Sequence, residues 1–226
     1  MTKKWAIAAI VLTLSIGVAF SGPAEATPIA VGDTISFTDV FTPRMSGYGG
    51  GPFKATVNGT YSFYTFCVEL GETFRFNDEY RVGGISEKTI ATNKGLAGEV
   101  KYLYYNYRTG MLDDLFPTFN YDNDKDQRTL QAAIWHWMGW TVPNSGNSDY
   151  YDLSLLALLT DSAVQGKGAG IDNVKILNIT SIYPNVNGQY TNHQDMLALV
   201  PEPATFLLLG FGLFGLSALG RRKIRG

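Results

Sequence analysis

Apolar and polar positions alternate along much of the chain from Ile29 to about Tyr80, the period-two pattern of half-buried strands. Thr34-Ile35-Ser36-Phe37-Thr38 and Lys54-Ala55-Thr56-Val57 both read this way. Asn58-Gly59 then supplies a hairpin turn, because both residues tolerate positive φ. The segment Thr60 to Leu70 is the most convincing strand, and Arg44 to Pro52 is a glycine-rich loop. Between Thr89 and Trp140 the period lengthens to three to four. Leu96, Val100, Leu103, Tyr104 and Tyr107 mark one helix. Leu130, Ala133, Ile134 and Trp137 mark a second, with Asp126 as its expected cap. Leu153 to Leu159 predicts a short helix, and Val174, Ile176, Leu177 and Ile179 predict a returning strand. Residues 188–199 read as a linker, and no internal repeat is present. The pattern predicts an α+β fold: β-sandwich or barrel-like strands with an inserted helical subdomain.

Two apolar runs flank this region. Lys3 and Lys4 precede an apolar stretch from Ala6 to Phe20, and Ala24-Glu25-Ala26 follows as an Ala-x-Ala cleavage site. That is the form of a Sec-type signal peptide over residues 1–26, with the mature chain beginning near Thr27. No cysteine follows the apolar stretch, so a lipoprotein is not expected. At the other end, Ala204 to Leu219 carries no charge, and Arg221, Arg222, Lys223 and Arg225 follow it. The run is somewhat shorter than the ~20 residues that usually span a bilayer. Its basic end is expected to stay cytoplasmic, holding the rest of the chain outside. Removing both ends leaves roughly 170 residues, enough for one domain with its own core.

Immediately before that run stand Pro201, Glu202 and Pro203. Box, apolar span and basic tail together resemble the PEP-CTERM sorting signal of Gram-negative bacteria. The resemblance implies export, transient residence in the inner membrane through a helix at 204–219, and processing near the box by an exosortase-type enzyme. The destination it implies is the cell envelope, the outer surface or the extracellular matrix, including biofilm. A plain membrane anchor is the alternative. The resulting division is a leader (1–26), an extracytoplasmic domain (27–187), the linker (188–199) and the sorting signal (200–226).

Charge narrows the partners. With 18 basic and 20 acidic residues the net charge is −2, and no basic stripe is present, so nucleic acid is not an expected partner. Two histidines exclude a His-rich metal site. Asp122-x-Asp124-x-Asp126 begins like a calcium loop, but Gln127 stands at its sixth position and Ala133 at its twelfth, so it is not an EF-hand. No metal or cofactor is expected.

The telling count is one cysteine, Cys67. Exported proteins usually pair their cysteines or lack them. Cys67 lies in Phe66-Cys67-Val68-Glu69 at a strand end, and Leu130-Gln131-Ala132-Ala133-Ile134-Trp135 lies in the second helix. This pair resembles the thioester domains of bacterial surface adhesins, which carry an aromatic-Cys-hydrophobic motif early and a hydrophobic-Gln-x-x-hydrophobic-aromatic motif later. The resemblance implies an internal thioester between Cys67 and Gln131, and covalent attachment to a protein or polysaccharide partner bearing an amine or hydroxyl. Such a bond must be kept dry, and Phe66, Tyr64, Trp135 and Trp137 are the expected shields. Glu69 would orient the site or form a surface pair.

Two other readings stay open. In one, the chain is a structural matrix or exopolysaccharide-associated protein in which Cys67 is a small buried hydrophobe. In the other, His136 activates Cys67 for hydrolysis or acyl transfer. His136 lies five positions after Gln131 and so projects from a different part of the helix. A non-enzyme is the expected class.

Overall fold

The computed structural model describes residues 29–40 and 50–200. The expected signal peptide, the 204–219 helix, the Pro201–Pro203 box, the basic tail and most of the glycine-rich loop lie outside them. Among the described residues no helix is long and apolar enough to cross a membrane.

Strands β1 (Thr34–Asp39), β2 (Phe53–Val57), β3 (Tyr61–Thr65), β4 (Glu79–Ser86), β5 (Val174–Ser181) and β6 (Met196–Leu199) form one antiparallel sheet in the order β3-β2-β1-β4-β5-β6. The β2–β3 hairpin turns as its sequence predicts: Asn58 and Gly59 both have positive φ, and the Thr60 N–H closes the turn on the Val57 carbonyl. Helices α1 (Gly98–Thr109), α2 (Leu112–Leu115), α3 (Asp124–Trp137) and α4 (Leu153–Leu159) lie between β4 and β5 in the chain.

The expected long strand from Thr60 to Leu70 divides. β3 ends at Thr65, and the next three residues cross to β6. The Leu197 N–H donates to the Phe66 carbonyl (3.1 Å), and the Val68 N–H donates to the Asp195 carbonyl (3.1 Å). These bonds join the two edge strands into a barrel-like sheet. Tyr104 of α1 reinforces the seam from a fully buried position, with its hydroxyl 2.9 Å from the Tyr64 carbonyl and 3.1 Å from that of Leu197. The Thr65 hydroxyl also donates to the Leu197 carbonyl, at 2.6 Å.

Residues 188–199 are therefore not simply a linker. Met196 to Leu199 are all buried in β6, whose four apolar residues are too short a run to reveal a two-faced strand. β4 also escapes the periodicity, because Gly83 and Gly84 interrupt it at a bulge. A Cβ on Gly83 would lie 2.6 Å from the Thr180 methyl group, so the close approach of β5 requires glycine there.

Alternate residues feed two cores. Phe66, Val68, Val174, Ile176, Leu197 and Leu199 pack with the helices. Ile35, Phe37, Phe53, Cys67, Leu177, Ile179, Met196 and Ala198 fill the other side. α3 begins at Asn123, not Asp126: the Asn123 side chain accepts the Lys125 N–H, while Asp126 is buried and accepts from the Asn120 N–H. α4 begins as Asp152 caps the N–H groups of Ser154 and Leu155.

The start of α1 packs backbone to backbone against Gly168. A Cβ at Gly168 would sit 1.9 Å from the Gly98 carbonyl oxygen, and its φ is +84°. Gly168→Ala is therefore expected to cost at least about 3 kcal/mol, read as a lower urea midpoint. Gly59→Ala meets no neighbouring atom and should lose only the smaller cost of its left-handed turn.

Candidate functional site at Cys67 and Gln131

The seam determines what Cys67 can bond. Cys67 stands opposite Met196, and the seam hydrogen bonds run through its neighbours Phe66 and Val68. Peptide groups along a strand alternate between its two edges, so those of Cys67 point away from β6. The register of β2 with β3, carried two residues further, sets Gly51 opposite Cys67. There the two chains separate and the Gln131 carboxamide enters between them.

Gln131 Oε1 accepts from the Cys67 N–H (2.9 Å) and from the Gly51 N–H (3.1 Å), and Gln131 Nε2 donates to the Cys67 carbonyl (2.8 Å). The side chain thus occupies the place of a strand at Cys67. α3 supplies it by burying the face that carries Gln127, Leu130, Gln131 and Ile134, one turn apart. Cys67 and Gln131 are each only 1% exposed.

Gly50 and Gly51 cover the pair. A Cβ at Gly50 would lie 2.6 Å from Gln131 Cγ and 2.8 Å from the Trp135 ring. One at Gly51 would lie 2.9 Å from the Thr65 carbonyl oxygen. In sequence both are merely part of a glycine-rich loop. The signal for their role is Gly-Gly-Pro directly before an alternating strand, where only glycine permits so close a backbone approach.

The expected shields separate. Trp135 packs in the same core as Cys67. Phe66 turns to the opposite core and stacks edge-on against Tyr107, with centroids 5.0 Å apart. As neighbours on an extended chain, Phe66 and Cys67 point to opposite sides. Tyr64 is exposed, and Trp137 donates its indole N–H to the Leu159 carbonyl on the helical side. Glu69 forms no surface pair: it is buried, and the Thr92 hydroxyl donates to its Oε1 at 2.6 Å.

Burial pushes the Cys67 thiol up, and the Gly51 N–H offsets this only in part. His136 is exposed on α3 beside Trp137, and His193 contacts the Thr73 carbonyl and the Tyr80 ring. A cleft of about 300 Å³ lies between β3, α1 and the start of α3, and neither Cys67 nor Gln131 lines it. It is lined by Pro52, Tyr64, Tyr107, Arg108, Tyr121 and Gln127, among others. Pro52 follows Gly51, and Gln127 lies one helical turn before Gln131.

Residues 199–223 match the family model of the PEP-CTERM protein-sorting motif. The chain therefore carries the signal of an exported surface protein that associates with the membrane and is processed by an exosortase-type enzyme. No curated protein matches it. Among solved structures it is similar to the N-terminal domain of the Streptococcus pyogenes pilus tip adhesin Cpa, at 13% identity and a TM-score of 0.45, over 79% of this chain and 99% of that one.

Cys67→Ala and Gln131→Ala both preclude a covalent link, so their difference reports the lost hydrogen bonds together with the larger volume removed at Gln131. Gln131→Ala leaves the Cys67 N–H, the Cys67 carbonyl and the Gly51 N–H without this partner. It is expected to be less stable than Cys67→Ala by about 2–4 kcal/mol in urea unfolding.

Proposed function

We propose that this surface protein attaches covalently to its partner through an internal thioester between Cys67 and Gln131. The observation that carries the reading is the pair of backbone N–H groups on Gln131 Oε1. Two donors on a carbonyl oxygen polarise its carbon and stabilise the negative charge that develops on attack, as in an oxyanion hole. The Cys67 residue supplies one of those donors and also the sulfur, so nucleophile and electrophile are held together by the fold.

The reaction balances without an outside base. The Cys67 sulfur bonds to the Gln131 carbonyl carbon, the C–N bond breaks, and the thiol proton leaves with the amide nitrogen as ammonia. The thiolate is the attacking form and burial disfavours it, so the proton must pass to the amide nitrogen as the sulfur attacks. Burial then protects the product from water. Attack by a primary amine reverses the exchange: the amine nitrogen bonds to the carbonyl carbon, the C–S bond breaks, and the sulfur takes the proton that the amine gives up. The new amide retains one N–H for the Cys67 carbonyl, which a hydroxyl nucleophile would leave unpaired. An amine is accordingly the favoured partner group. Each molecule reacts once, so the protein is not an enzyme in this reading. The exposed position of His136 gives no support to a Cys–His hydrolase.

A second reading has its own support. The Gln131 carboxamide satisfies both peptide groups of Cys67, and a purely structural pin needs nothing more. The chain is then a sorted structural protein of the surface or matrix.

Intact mass of the mature domain, Thr27 to about Leu199, separates the two. A thioester makes the chain lighter by one ammonia and blind to thiol reagents, and methylamine adds to Gln131. Full mass, a thiol that reacts on unfolding and no adduct leave the structural reading.

A further inference from the structure

Beside the seam, Glu69, Glu72 and Asp195 bring three carboxylates together, with one ligand oxygen from each within 4.8 Å of the others. Proximity of acids alone would mean little. Here Glu69 and Asp195 are 1% and 0% exposed, and Glu69 Oε2 and Asp195 Oδ1 are buried with no hydrogen-bond partner. Glu72 Oε2 is likewise buried, with no partner but the Glu69 carboxyl. The other oxygens of the two deep carboxylates are satisfied. Thr92 donates to Glu69 Oε1, while the Ile90 N–H (2.8 Å) and Asn178 Nδ2 (3.0 Å) donate to Asp195 Oδ2. Among the described residues no lysine or arginine forms an ion pair with any of the three. Carboxylates buried in this way need a counter-charge or a proton.

We infer that Glu69, Glu72 and Asp195 form a binding site for one calcium ion. The donors are all carboxylate oxygens, with no imidazole or thiolate, which selects a hard cation over zinc. Calcium tolerates an irregular oxygen shell completed by water, and Glu72, only partly buried, leaves a way in. Magnesium demands a near-ideal octahedron and gives up water reluctantly. Without a cation, burial, a hydrogen bond to the Glu69 carboxyl and repulsion from the other two acids push Glu72 up to about 8, and burial with the Glu69 charge pushes Asp195 up to about 7.

The site also has a consequence for the seam. Glu69 lies two residues after Cys67, and Asp195 precedes Met196, which stands opposite Cys67. The Asp195 carbonyl already holds the Val68 N–H, and Gln194 Nε2 donates to the Glu69 carbonyl. A cation held by both side chains clamps the two strands that position Cys67. The inference rests on the carboxylates alone and stands whether or not Cys67 forms a thioester.

The test uses the full chain purified in detergent, stripped with EGTA, then titrated with calcium chloride by calorimetry and thermal unfolding. One calcium per chain is expected, with Kd in the 10⁻⁴–10⁻³ M range typical of extracellular modules. At a roughly ten- to hundred-fold excess over Kd, Tm should rise by about 3–10 °C, reversibly with EGTA and less with magnesium. Asp195→Asn and Glu69→Gln should lose the calcium response while folding without it, because each removes a buried charge. Glu72→Gln, at the open side, should weaken it. Absence of binding in the wild-type chain, a response retained in both Asp195→Asn and Glu69→Gln, or stabilisation by acidification with none by calcium would each overturn the site.

Discussion

The carboxamide of Gln131 is the interaction on which this fold's centre depends. β2 and β3 pair regularly up to Phe53 and Thr65 and then part. The chain after β3 must satisfy β6 on one side while leaving the Cys67 peptide open on the other. A buried peptide without partners is costly, and no seventh strand is present among the described residues to supply them. Gln131 does so from a helix, with donor and acceptor matched to the acceptor and donor of a single residue. Helix position, seam register and glycine cover are thereby tied together. A Cβ at Gly50 or Gly51 would press on Gln131 or on the Thr65 carbonyl.

The same constraint explains why the seam carries so much buried polarity. A barrel-like sheet that closes through three residues has few ladder bonds at its joint, and side chains supply the rest. Tyr104 and Thr65 reach the Leu197 carbonyl from the helical core and from β3. Trp140 donates its indole N–H to the Val68 carbonyl at 2.8 Å, and Lys94 lies 3.5 Å from the centroid of the same ring. Asn178 and Ile90 hold Asp195. Polar groups buried in such a network are strong only when all are satisfied, which is why the three acids stand out.

What the sequence made legible follows from range. Strands β1, β2, β3 and β5 and helices α1, α3 and α4 show in the local pattern, because each buries one face over several residues. β4 does not, since its glycines answer to the approach of Thr180 on another strand. β6 does not, since four consecutive buried residues carry no alternation. Cys67 and Gln131 could be named from two short motifs, and they do meet. Their relation to Gly51 could not, because it arises from the hairpin register. Phe66 is an expected shield from its motif, yet alternation along the extended chain puts it on the side opposite Cys67. Glu72 and Asp195 had no motif to announce them, being joined only where the seam closes.

Export and chemistry also fit in order. On the proposed thioester reading, Cys67 and Gln131 would become reactive toward each other only once α3, the Gly50–Gly51 cover and the seam are all in place, because the two donors to Gln131 Oε1 come from separate parts of the chain. In the unfolded state Gln131 is an ordinary amide and Cys67 an ordinary thiol. A chain sorted by its C-terminal signal would therefore cross the membrane inert and acquire an electrophile only on folding outside. The distance in sequence between the two motifs, which makes the site hard to read, is also what would delay the chemistry until the domain is complete.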